Sequence, residues 1–268
     1  MLKTFTAFLA ASVVLAAAPS QAQDNAMKLS LRYDGKLLVK VFDLRIEQRV
    51  TPTAFSSSAR FQSYGILAAF KRLDMRGTSS GRIVDGDARP GTFWYKNYGG
   101  KTKRAVTVTW QNGDVKMSAT PPFGGLGEPP ATKAQKLAAA DSLTHLMGMT
   151  LNASRGEVCT RTTRFFDGKQ LYALHFSNPR PVTPGAREKR LGLVNGVRCD
   201  VRFEELAGFK AKPPSQRDQG LKYGITVDFG QVGPRGPWVL SQIRGSTPLG
   251  KAVIELAGVT VTGRDPTG

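Results

Sequence analysis

The sequence predicts a mainly β protein, a meander of antiparallel hairpins with one short-to-medium helix, and three observations predict it. Many segments alternate apolar and polar residues with period two, as half-buried antiparallel strands do. Two-residue turn signals punctuate a chain rich in the turn formers glycine (29) and proline (16). A single alanine-rich stretch carries helical spacing instead.

In chain order, the first element is no strand. "MLKTFTAFLAASVVLAAAPSQA", residues 1–22, has one positive charge at Lys3, an apolar run from Phe5 to Ala18 too short to span a bilayer comfortably, and small residues at Ser20 and Ala22. That is the pattern of a cleaved secretory signal, so the mature chain is expected to begin at Gln23 and to form one β-rich domain over residues 23–268 in the periplasm. No cysteine follows the predicted cut to carry a lipid anchor, and no later stretch is apolar for long enough to cross a membrane. The expected product is soluble and is not an integral membrane protein.

Strand signals follow. "RAVTVTW" sets Val106, Val108 and Trp110 against Ala105, Thr107 and Thr109, and "YGITVDFG" aligns Ile225, Val227 and Phe229. In "VRCDVRF", Val197, Cys199, Val201 and Phe203 share one face, with Arg198, Asp200 and Arg202 on the other. Asp34-Gly35, Asn112-Gly113, Asp167-Gly168 and Asn195-Gly196 each read as a type I′ hairpin. "TFWYKNYGG" points Phe93 and Tyr95 one way and Trp94 the other, so another layer, a partner or a ligand must cover the odd face. Phe93, Trp94, Tyr95 and Trp110 are therefore the candidate ligand-lining aromatics.

The helix is expected roughly within residues 133–149, where Leu143, Leu146 and Met147 fall at helical spacing. Asp141 either caps its second part or faces His145 one turn on. "PRPVTPGAREKR" and "AKPPSQRDQG" read as exposed loops.

Charge limits the partners. Lysine and arginine number 38 against 20 acidic residues, a formal +18 with pI near 10.3, and loss of Lys3 with the leader lowers the charge to +17. In the cytosol such a balance would point to nucleic acid. Export replaces nucleic acid with anionic lipid headgroups, lipopolysaccharide phosphates and acidic glycans. The basic residues are interleaved along strands instead of forming a block, which suits a solvated face as well as a docking patch. The expected partners are anionic lipid, lipopolysaccharide or an envelope protein.

Cys159 and Cys199 are the two cysteines, and His145 and His175 the two histidines. A catalytic thiol needs a base and an electropositive, partly open setting, yet Cys199 sits on the apolar face of its strand. A zinc site needs four ligands and would exhaust this pool at the wrong spacing. An oxidising compartment makes a Cys159–Cys199 disulfide the simplest account, with Cys159 on the strand entering the Asp167-Gly168 hairpin.

Enzyme signatures mostly fail. "GTSSG", residues 77–81, matches the nucleophile-elbow pattern with Ser79 in the reactive position, but no helical period follows it, so it reads as a Ser/Gly turn. Glu204 and Glu205 are adjacent and point to opposite faces of a strand. No phosphate loop, dinucleotide fingerprint or zinc-protease helix is present, so no cofactor, metal or catalytic residue is assigned.

The order of features from "YDGKLLVKVFDLRIEQR" through "SYGILAAFKRLDMRGTSSGRIVDGDARPGTFWY", "RAVTVTW" and "AAADSLTHLMGM" resembles the bacterial exported proteins of domain of unknown function 3108. "VCTRTTRFFDGKQLYALHF", "LVNGVRCDVRFEELAGFK" and "STPLGKAVIELAGV" extend the resemblance over nearly all of the mature chain. It implies an envelope protein whose antiparallel sheet is rolled into an incomplete barrel or spiral, and it implies no activity. Two function classes follow: a non-enzymatic protein binding a lipid, glycan or protein partner on a curved sheet, or a hydrolase of envelope polymers. A deep apolar cavity would favour the first; Ser79 or paired carboxylates meeting a histidine in a cleft would favour the second.

Overall fold

The computed structural model describes residues 26–70, 72–99, 102–210, 224–247 and 250–263. The leader and "AKPPSQRDQG" lie outside the described residues. The first arm of the sheet comprises β1 (Met27–Lys36), β2 (Lys40–Val50), β3 (Ala54–Ser63), β4 (Asp74–Val84), β5 (Asp87–Asn97), β6 (Ala105–Gln111) and β7 (Asp114–Thr120), with a short helix α1 (Gly65–Phe70) between β3 and β4. Helices α2 (Lys133–Leu137) and α3 (Ser142–Ser154) then lead to β8 (Thr162–Phe166), β9 (Leu171–Pro181), α4 (Ala186–Arg190), β10 (Leu193–Ala207), β11 (Ile225–Val232), β12 (Trp238–Thr247) and β13 (Gly250–Thr262).

These thirteen strands form one antiparallel sheet in the order β7-β6-β5-β4-β3-β2-β1-β13-β12-β11-β10-β9-β8. The first and last strands pair at its centre, Leu31 opposite Val259, while β7 and β8 remain edges, so the sheet does not close into a barrel. Helix α3 lies in the curve and touches β3, β4 and β5 of one arm and β8 and β12 of the other.

Period-two patterning makes this roll. Met27, Leu29, Leu31 and Tyr33 of β1 are almost wholly buried, while Lys28 and Arg32 between them face solvent. Helix α3 adds Leu143, Met147 and Leu151 to the same core. Met147 and Leu151 are fully buried, and each stabilises the fold by about 1.5–3 kcal/mol.

Several sequence expectations change. The helical region is two helices broken at Ala138–Asp141, because the buried Asp141 carboxylate caps the start of the second through the backbone amides of Leu143 and Thr144 at 3.0 and 2.9 Å, and that second helix runs on to Ser154. Asn112-Gly113 is a tight turn with both φ angles positive, and Asp167-Gly168 opens the β8–β9 turn. Asp34-Gly35 and Asn195-Gly196, however, lie inside β1 and β10. Gly35 faces the Phe42 ring, which a Cβ would approach to 2.1 Å, so glycine serves close packing there and not a turn. Residues 77–81 are mid-strand in β4, not a turn, and "PRPVTPGAREKR" contributes the end of β9 and all of α4. Cys159 precedes β8 by three residues instead of lying on it.

Candidate functional site

Between α3 and the inner face of the sheet lies a cavity of about 520 Å³. Its walls come from both arms: Leu44, Ile46, Ala59 and Phe61 from β2 and β3, Leu174 and Phe176 from β9, and Leu240, Ile243 and Ile254 from β12 and β13. Leu143, Leu146 and Met149 of α3 form its floor. Alternation sends these strand residues inward, but the curved sheet is wider than one helix can fill. Leu44, Phe61, Leu146, Met149, Phe176 and Ile243 consequently keep part of their apolar surface open although they face the interior.

Few polar groups reach this space. Asp167 is held by the amides of Lys169 and Gln170 at 2.8 and 2.6 Å, and burial pushes its carboxyl above the usual range despite those bonds. Burial, then the nearby Asp167 charge, raises the Tyr95 phenol, and the same two causes push Tyr172 up to about 12. Tyr33 donates to the Leu240 carbonyl at 3.0 Å. Phe165 stacks on Tyr172 with ring centroids 4.9 Å apart, and His145 packs on Phe165 at 4.4 Å.

Of the candidate aromatics, Phe93 and Tyr95 line the cavity, their rings 5.5 Å apart. Trp94 is on the opposite face, in register with Thr78 and Thr107. Trp110 lies outside the cavity and donates its indole N–H to the Lys136 carbonyl at 3.1 Å. Sequence reading missed the α3 and β9 walls. A usable signal existed in Leu143, Leu146, Met147, Met149 and Leu151, which spread apolar surface around more of the helix than one stripe, as in a helix covered on several sides.

Cys159 and Cys199 are joined, with Cα atoms 5.5 Å apart and a sequence separation of 40. The bond crosses β9, because β10 carries Cys199 two strands from β8. It belongs to a second apolar cluster with Val201, Val227 and Phe229.

The polar candidates go elsewhere. Ser79 Oγ is buried and bonds Asp141 at 3.0 Å and Thr144 at 3.0 Å, tying β4 to the start of α3. Burial holds the Asp141 carboxyl above its ordinary range against four donors. His145 Nε2 meets the Arg164 carbonyl at 2.6 Å, and burial lowers its pKa to about 4. On the other face of β9, His175 links Thr162 (3.0 Å) to Glu204 (2.5 Å) across three strands. Among the described residues no group of three or more His, Cys, Asp or Glu is placed to hold a metal, and no helix is long and apolar enough to cross a membrane.

No family model matches the chain, and no curated protein matches it. Among solved structures, a β-barrel-like protein of domain of unknown function DUF1849 from Brucella abortus is similar over 88% of this chain and 98% of its own, at 11% identity and a TM-score of 0.49. A Parabacteroides distasonis protein named "putative lipoprotein" is similar over 87% and 94%, at 7% identity and a TM-score of 0.30.

Proposed function

We propose that this is a non-catalytic, exported envelope protein that holds the hydrocarbon part of a lipid between α3 and the inner face of its open roll. The observation that carries this reading is the apolar cavity. At about 520 Å³ it falls within the roughly 300–1,000 Å³ of small-molecule sites, and a few polar groups stand among its apolar walls. Transfer of a hydrocarbon chain from water onto those half-open side chains is favourable by about 25 cal/mol per Å² covered. Export is supported by the leader pattern and by the Cys159–Cys199 bond, which an oxidising compartment preserves. The ordered motifs favour kinship with the domain of unknown function 3108 proteins.

The test is native mass spectrometry of protein purified from its own envelope, paired with titration of the neutral fluorophore N-phenyl-1-naphthylamine. A mature chain beginning at Gln23 with a co-purifying lipid is expected, and lipid and fluorophore should compete. Ala59→Trp fills the cavity from β3 and should weaken fluorophore binding by about tenfold or more while melting stays within a few degrees. A wild-type protein that neither carries lipid nor binds the fluorophore overturns the reading.

A further inference from the structure

Along one face of α3, from Thr144 to Ala153, a second hollow of about 260 Å³ shares Met149 and Phe176 with the apolar cavity. Its character is different. Asp87, at the start of β5, receives three guanidiniums: Arg155 at 3.1 Å, Arg161 at 3.3 Å and Arg89 at 3.5 Å. Arg161 also pairs with Glu157. The cluster therefore sets three cations against two carboxylates, and each guanidinium brings five N–H donors where a carboxylate offers about four acceptor sites. Donors and one positive charge are left over.

The three arginines are not equivalent. Arg155 is the most covered, at 30% side-chain exposure, and also bonds the Gly86 carbonyl at 2.6 Å, so it fastens the β4–β5 turn to the end of α3. Arg89 and Arg161 remain 59% and 46% exposed and line the hollow. Met149 and Phe176 line both the apolar cavity and this arginine-bearing hollow, so the two spaces adjoin at these side chains.

We propose that the site takes an amphiphile whose anionic head, a carboxylate or a phosphate, is held by Arg89 and Arg161 beside Asp87. This inference rests on the apolar-cavity reading, and it adds the charge of the ligand and the residues that select it. Guanidiniums suit such heads because their planar N–H pairs match two oxygens at once.

Calorimetric titration of the mature protein with dodecanol, dodecanoate and dodecyl phosphate, each below its micelle concentration, separates chain from head. Both anions should bind about tenfold more tightly than the alcohol, the contribution of a charge-assisted hydrogen bond or two. Arg89→Gln with Arg161→Gln should remove that advantage and leave dodecanol affinity unchanged, which also reports that the variant is folded. Raising salt to about 0.5 M should reduce the advantage in the wild-type protein without weakening dodecanol. Tighter binding of the phosphate than of the carboxylate would identify phospholipid-like heads, and the reverse fatty acids. Equal affinity for all three probes, or an advantage that survives in the double variant, overturns the head-group site while the cavity stands. Failure of all three to bind overturns both.

Discussion

Asp141 gathers four donors on one carboxylate: the amides of Leu143 and Thr144, and the hydroxyls of Ser79 and Thr144. Its neighbour His145 illustrates the opposite use of burial. With a folded pKa near 4 against about 6.5 in an unfolded chain, the ring stays neutral in the native state while the unfolded state takes up a proton. The stabilisation is therefore complete above about pH 6.5 and is lost as pH falls toward 4. Its size should be about 1–2 kcal/mol, less than the full shift because the residue is half-buried and partly screened. His145→Phe should flatten the melting temperature between pH 7 and 4; an unchanged slope would assign that slope to other groups. Asp200 and Asp228, whose carboxyls are held low, Asp200 by Arg180 and Asp228 by Arg198 and Arg244, lose their contributions at more acidic pH. Sequence alone could place Asp141 as a cap but could not find Ser79 beneath it, since the two are 62 positions apart and meet only when β4 packs on α3.

Elements show where local signals are sufficient. β1 and β6 follow the alternation that any half-buried strand must show, and Val106, Val108, Cys199 and Val227 are buried as it predicts, whereas β11 also buries Asp228 on its other face beneath Arg198 and Arg244. Turn dipeptides are less decisive. Asp85-Gly86 forms the β4–β5 turn with both φ angles positive, while the same pair at Asp34-Gly35 runs straight through β1 because Phe42 packs across it. The disulfide acts at this scale, tying the segment before β8 to β10 across β9. Cys159→Ser and Cys199→Ser should each lower stability by about 2–5 kcal/mol, and the double variant should be no worse than either single, since all three remove one bond. Denaturant melts of the three variants check this, and a strictly additive loss would contradict it.

At the scale of the molecule, the two edge strands define an opening that backbone pairing does not close. Side chains close part of it. The β8–β9 turn reaches the far arm, where a Cβ on Gly168 would stand 2.5 Å from Val106 and 3.2 Å from Val108, and its φ of 98° suits glycine alone. Gly168→Ala should cost about 2–4 kcal/mol through backbone strain and overpacking together, measured by denaturant melts. A loss below about 0.5 kcal/mol would mean that the two arms are not held there.

Local pattern and composition suffice for the strand-rich class, the helical break in the meander, the strong basic charge and the expectation that Cys159 and Cys199 pair. Each follows from periodicity, from composition or from the scarcity of cysteine, which are properties of short windows or of the whole count. Long-range packing is what brings β1 and β13 together at the centre of the sheet, leaves the curve underfilled by α3, and sets Met149 and Phe176 between an apolar space and an arginine-lined hollow. A strand pattern specifies which face is inward but not how far away the opposite inward face lies; a cavity is set by that distance, and here it is fixed by contacts between residues far apart in the chain.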